Sequence, residues 1–185
     1  MDRVPAYQEQ LARAGRYYES VRQLRTGASN ARGVDAQRRA VNDAVVRYSD
    51  DVWSFFIHAW HVRDWIKHDV SLPIDIRDRI LAGVNASRWL CICADLANGR
   101  KHFELSRPRV GAALESLRAS WTTEDPMWRL AVWVSVGDDK PVDAAVAACE
   151  VLRAWKGLLE SERLALPDDF PDLTTTPPAY ARRCD

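Results

Sequence analysis

Hydrophobic residues recur every three or four positions along most of this chain, which is the spacing of one face of an α-helix. Residues 5–25 follow this period and predict a first helix. A second, much longer helix is predicted from about Asp35 to Asp69, because Pro73 and the residues before it interrupt the pattern. The apolar stripe of this long helix consists of Val45, Val52, Phe55, Ala59, Val62 and Ile66.

Three further helices are predicted in the remaining sequence. The segment "PIDIRDRILAG" fits a short helix closed by Gly83, and Asn85 or Ser87 is a suitable cap for a helix that runs to about Ser106. The segment 137–166 opens with acidic residues and Pro141, which favour a helix start, and then shows the clearest amphipathic pattern in the chain.

The period changes to two between residues 114 and 136. Residues 127–136 alternate two faces and residues 114–121 also favour a strand, with the turn-forming "TTEDP" between them. These segments predict a β-hairpin over 114–136. The expected architecture is mainly all-α: a four-helix bundle with a β-hairpin inserted before the last helix. We assign 1–166 to a single helical domain and 167–185, with its four prolines, to an extended tail.

Composition narrows the protein class without assigning a function. With 26 basic and 26 acidic side chains in 185 residues, the net charge gives no general reason to bind nucleic acid or a membrane. The four cysteines lack CxxC spacing and are expected to be reduced thiols of a cytoplasmic protein, at least two of them packed in the core. No signal peptide or membrane-spanning segment is expected.

Two polar phrases stand out from this background. "HAWHVRDWIKHD", residues 58–69, holds three of the four histidines, and its His61, Asp64 and His68 are spaced i, i+3, i+7 along one helical face. "DLANGRKHFEL", residues 95–105, repeats this spacing with Asp95, Asn98 and His102. If the two helices pack side by side, the two polar stripes can face each other.

Three interpretations of these stripes are open. Buried histidines need hydrogen-bond partners, so histidine and aspartate side chains can simply tie two helices together. A zinc or iron site is a second interpretation, although the chain lacks HExxH and the repeated Glu-x-x-His of di-iron bundles. The third is acid–base chemistry on a phosphodiester by Arg63 and His68, which lie about 140° apart on a straight helix and would converge only if the helix bends or frays.

The Arg–four residues–His spacing of "RDWIKH", in a small helical chain that also contains "CADLANGRKHFEL", resembles the HEPN superfamily. The resemblance covers roughly residues 45–160. It implies a four-helix core that is frequently dimeric, in which an Arg and a His of two protomers line one cleft and cut RNA without a metal or other cofactor. Carried over to this chain, Arg63 and His68 would be the catalytic pair and Asp64 the residue that orders the site. His68 is followed by Asp-Val, which departs from the His-x-Tyr of HEPN toxins, and "NGRKH" is not part of the motif.

Two functions are therefore expected. The first is a metal-independent endoribonuclease in bacterial defence or a toxin–antitoxin setting, expected to form a homodimer, with His61, Asp95, Asn98, Lys101 and His102 as supporting or phosphate-binding residues. The second is a non-catalytic helical module that binds a nucleotide, a nucleic acid or a protein partner, the last through the hairpin or the tail. Catalysis requires Arg63 and His68 to be accessible, whereas a structural role buries His61, Asp64 and His68.

Overall fold

The computed structural model describes residues 5–23, 26–27, 34–101, 108–115, 118–120 and 128–177. Most of these residues are helical, which confirms the mainly α prediction. The described helices are α1 (Ala6–Gln23), α2 (Val34–His68), α3 (Ile74–Ala86), α4 (Arg88–Lys101) and α5 (Ala144–Ser161).

Six short strands complete the described fold. They are β1 (Thr26–Gly27), β2 (Ala112–Leu114), β3 (Arg118–Ser120), β4 (Trp128–Ala131), β5 (Trp133–Val136) and β6 (Val142–Asp143). They form two three-stranded antiparallel sheets, with orders β1-β4-β3 and β2-β5-β6. The predicted hairpin is confirmed, since β3 pairs with β4 and β2 with β5. The sequence did not predict the two outer strands, β1 and β6, or the break at Val132 that divides the hairpin between two sheets.

The apolar stripe of α2 forms the centre of the core. Val52, Phe55, Ala59, Val62 and Ile66 are all buried, as the period predicted. The core is closed by α5, whose Trp155 is fully buried and donates its indole N–H to the carbonyl oxygen of Ala59 at 2.9 Å. This bond satisfies the indole nitrogen inside the core and holds α5 against α2.

An acidic residue caps α5, but it lies after Pro141, so the helix starts later than the acidic opening of 137–166 predicted. The carboxylate of Asp143 accepts a hydrogen bond from the backbone N–H of Ala145 at 2.9 Å, so it satisfies one of the unpaired donors of the first turn. The same residue ends β6, so the hairpin sheet and the last helix are joined without a loop.

Residues 164–177 contain no helix or strand, but they lie against the bundle. Pro167, Pro171 and Leu173 are buried in this segment. A Cβ atom on Gly15 of α1 would lie 2.9 Å from Cδ of Pro171, so the two backbones approach closely there. The guanidinium of Arg153 donates to the carbonyl oxygen of Leu173 at 2.6 Å. The first part of the predicted tail is thus packed against α1 and α5.

No single described helix is both long and apolar enough to cross a bilayer; α3 and α4 meet those criteria only as a pair bent by 83°.

Candidate phosphodiester site

The C-terminal end of α2 carries the residues of the Arg-spacer-His motif. Arg63 Nη1 lies 3.0 Å from Asp64 Oδ1, and the two side chains are 25% and 51% exposed. His68 is exposed, and its Nδ1 lies 3.4 Å from the backbone carbonyl oxygen of Asp64. A carbonyl can only accept, so this contact places the ring proton on Nδ1 and leaves the Nε2 lone pair available to take a proton.

Arg63 and His68 do not converge within one chain. Helix α2 remains helical through His68, so it does not fray between the two residues, and they leave it about 140° apart. Asp64 is the residue that both contact, one through its carboxylate and the other through its carbonyl oxygen. Helix geometry therefore directs the two side chains to different sides of α2.

The polar stripe on α2 is accessible at its end. His61 is half-buried, while Asp64 and His68 are exposed, and the side chain of Trp65 between them is 48% exposed. The structural interpretation requires His61, Asp64 and His68 to form a buried joint between helices. Asp64 and His68 are exposed, so they do not fit it. These residues instead present a carboxylate, an indole and an imidazole to solvent.

Two guanidinium groups meet at Trp60. The guanidinium carbon of Arg63 lies 5.4 Å from the centre of the Trp60 ring, and that of Arg109 lies 5.0 Å from the same centre. Both distances are within the range of a cation–π interaction. Arg109 Nη1 also donates to Asn85 Oδ1 at 2.8 Å, a neutral partner. No local sequence signal marked Arg109, because it follows the second polar phrase in an irregular segment.

Asp95, from the second phrase, has a structural role in the described fold. Its carboxylate is buried and accepts the backbone N–H groups of Arg109 at 2.7 Å, Val110 at 2.9 Å and Ala112 at 3.2 Å. Hydrogen bonds to an ionised acceptor are the strong ones, so Asp95 fixes the segment that delivers Arg109 to Trp60. The two polar phrases are thus linked through Arg109 and Trp60.

The remaining residues of the second phrase are less informative. Asn98 is half-buried on α4, and Lys101 is the last residue of that helix. His102 lies outside the described residues. A joint between the stripes on α2 and α4 through these three residues stays a prediction.

Within the described ranges, no group of three or more histidine, cysteine, aspartate or glutamate side chains is placed to hold a metal ion. The described cysteines Cys91, Cys93 and Cys149 are free and buried, and burial raises the pKa of the Cys93 thiol above its ordinary value. Their packing agrees with the expectation that at least two cysteines lie in the core.

Comparisons with protein-family models, with curated proteins and with solved structures found no match to this chain. The resemblance to the HEPN superfamily therefore rests on the motif residues alone.

Proposed function

We propose that this chain is a metal-independent endoribonuclease whose reactive groups lie at the C-terminal end of α2. The observation that carries the proposal is that the exposed imidazole of His68, with the Nε2 lone pair free, and the fixed guanidinium of Arg63 lie at the same end of α2. Transfer of phosphate to a neighbouring 2′-hydroxyl needs a base, an acid and a cation. A histidine can serve as the base or as the acid, and Arg63 provides the cation.

In this mechanism Nε2 of His68 removes the proton of the 2′-hydroxyl, and the 2′-oxygen attacks the adjacent phosphorus. The bond from phosphorus to the 5′-oxygen breaks, which leaves a 2′,3′-cyclic phosphate on one product. The departing 5′-oxygen takes a proton from the imidazolium of His68 of a second protomer. Arg63 and His68 leave α2 on different sides. When two protomers pair, the Arg63 guanidinium of one can therefore contact the phosphate next to the 2′-hydroxyl that the His68 imidazole of the other deprotonates.

Arg63 and Arg109 are suited to hold the phosphate. Contacts with Trp60 and with Asp64 or Asn85 restrict both guanidinium groups, so little side-chain freedom is lost on binding. Only Arg63 has an acidic partner among the described residues, and that pair is partly exposed and therefore weak. A phosphate can therefore compete with Asp64 for the guanidinium of Arg63.

Trp65 supports RNA as the substrate. A large aromatic side chain that is 48% exposed beside Asp64 provides a surface on which an unpaired base can stack. Stacking is tolerant of base identity, so we expect a preference for single-stranded RNA with limited sequence specificity. A setting in bacterial defence or as the toxin of a toxin–antitoxin pair is part of this proposal.

The test is cleavage of a labelled single-stranded RNA by the purified chain with EDTA present throughout. We expect cleavage by the parent protein and a loss of roughly 10²–10⁴-fold in rate for His68→Ala, the usual contribution of a general base. Lys67→Ala is the matched control, since it removes an exposed side chain from the same last turn of α2. Arg63→Lys keeps the charge but not the planar fork, and should lower the rate by about 10²-fold.

The outcomes separate the two expected functions. Cleavage lost in His68→Ala but kept in Lys67→Ala, with both variants folded, supports the ribonuclease. RNA binding without cleavage, weakened about tenfold or more by Trp65→Ala, would replace it with a non-catalytic binding module. If the purified chain neither binds nor cleaves RNA, an RNA-directed function at this end of α2 is refuted.

A further inference from the structure

A polar cavity lies between α1 and α2, lined by residues other than those of the candidate phosphodiester site. It has a volume of about 340 Å³, and its described lining residues are Arg13, Arg16, Tyr17, Ser20 and His58. The four residues from α1 are spaced i, i+3, i+4, i+7, so they share one face of the helix. His58 comes from α2 and lies across from them. The α1 face that turns toward α2 beside this cavity is therefore polar.

The hydrogen bonds of Gln10 determine which nitrogen of His58 carries the proton. Gln10 Nε2 lies 2.8 Å from His58 Nδ1 and 3.3 Å from the backbone carbonyl oxygen of His58. The carbonyl oxygen only accepts, so the amide nitrogen and not the amide oxygen must face it. The amide therefore donates to Nδ1 as well, and the proton of the neutral ring is on Nε2. His58 acts as a hydrogen-bond donor through Nε2.

The position of the imidazole is also fixed. The rings of Tyr17 and His58 are stacked, with centroids 5.2 Å apart and an angle of 8° between their planes. Burial, together with the positive charges of Arg13 and Arg16 and the nearby His61, lowers the pKa of His58 from its ordinary value. The ring is thus neutral near pH 7, and a bound anion would offset the repulsion that the two arginines exert on its protonated form.

The cavity has a positive lining. None of its described lining residues is acidic. Arg13 pairs with Glu9 at 2.6 Å and Arg16 with Asp169 at 3.4 Å, but all four side chains are about half-exposed or more. Exposed ion pairs are weak in water, and each guanidinium has further N–H donors.

We propose that this cavity, called here the α1–α2 anion site, binds a phosphate monoester. Its lining residues carry two guanidinium forks, an imidazole with its proton on Nε2 and the hydroxyl groups of Ser20 and Tyr17, all of which can donate hydrogen bonds. A carboxylate has two acceptor oxygens, whereas the terminal phosphate of a monoester has three and carries up to two charges, so it matches this donor set better. The cavity volume suits a small phosphorylated molecule.

The test is calorimetric titration of the full chain at fixed ionic strength with phenyl phosphate, inorganic phosphate and benzoate. We expect both phosphates to bind at a site that depends on Arg13 and Arg16, and benzoate to bind there at least about tenfold more weakly. Arg13→Gln with Arg16→Gln should weaken phosphate binding by about tenfold for each arginine. The matched control, Arg38→Gln with Arg39→Gln, removes the same charge from exposed positions of α2 and should leave binding unchanged.

A second titration separates two sources of the phosphate, with one RNA oligonucleotide prepared with a 5′-phosphate or a 5′-hydroxyl end. Binding that depends on the 5′-phosphate and on Arg13 and Arg16 supports the site and identifies an RNA end as a ligand. Binding of phenyl phosphate without this dependence supports a small-molecule ligand. Equal weakening by both double variants, or equal affinity for benzoate and phenyl phosphate, overturns the proposal. The α1–α2 anion site shares no lining residue with the candidate phosphodiester site, so its phosphate binding is tested independently of RNA cleavage.

Discussion

Replacing Asp95 tests how the second polar phrase supports the site. Its buried carboxylate accepts three backbone N–H groups, and each hydrogen bond to an ionised group contributes about 1.5–3 kcal/mol. The sum of these three contributions overstates the loss of unfolding free energy. Arg109 and Gly111 are exposed, so the freed amides of this segment can reach water once it opens. We therefore expect Asp95→Ala to lower the free energy of unfolding by about 3–5 kcal/mol. Asp95→Asn, which retains one acceptor oxygen, should lower it by about half as much.

Urea unfolding followed by circular dichroism measures this change, and hydrogen exchange at Val110 and Ala112 locates it. In the Asp95 variants these amides should exchange faster than in the parent, because they lose their acceptor. The control is Asp78→Asn on the exposed side of α3, which should stay within about 0.5 kcal/mol of the parent. An Asp95→Ala variant that is equally close to the parent, with unchanged exchange at Ala112, would refute this role.

Further predictions follow from the packing of the bundle and from His58. Gly15→Ala should destabilise the chain despite its higher helix propensity, because its Cβ would meet the Pro171 ring at 2.9 Å; adding Pro171→Ala should recover part of the loss in thermal unfolding. Cys93 should resist alkylation by iodoacetamide at pH 8 in the native protein and react after unfolding, as mapped by mass spectrometry, since burial raises its pKa; fast labelling in the native state would contradict its position. The pKa of His58 is lowered from 6.5, so its contribution to stability is present above that pH and is lost as the pH falls through the folded-state pKa. His58→Gln should weaken the pH dependence of the melting temperature between about pH 7 and 5, above the range in which carboxylates titrate; an unchanged profile would contradict this sign.

The helices were predictable because their signals are local. The stripe from Val52 to Ile66 keeps its period without interruption, and the structure reproduces the end of the long helix predicted before Pro73 within a few residues. The change to a period of two likewise located the hairpin.

The long-range pairings had no comparable signal. The two residues of β1 pair with β4 about 100 positions later, and Pro171 packs on Gly15 without any periodic pattern. These contacts depend on the completed bundle, which provides the surface onto which each short segment docks.

The candidate site was predictable only where its residues are close together in the sequence. The spacing within α2 grouped Asp64 with His68, and the structure places both at the exposed end of that helix. Arg109 could not be assigned from sequence, because the carboxylate that anchors its segment is Asp95, 14 residues earlier. Similarly, the tautomer of His58 is set by Gln10, 48 residues away.

The most direct test of the central claim is to compare an RNA with the same RNA carrying a single 2′-deoxy nucleotide at the cleaved position. In EDTA, the chain should cut the first RNA and leave a 2′,3′-cyclic phosphate, and it should not cut the second RNA at that position. The proposed reaction starts at the 2′-oxygen, so cleavage of the deoxy-substituted position, or cleavage that requires added metal, would contradict it.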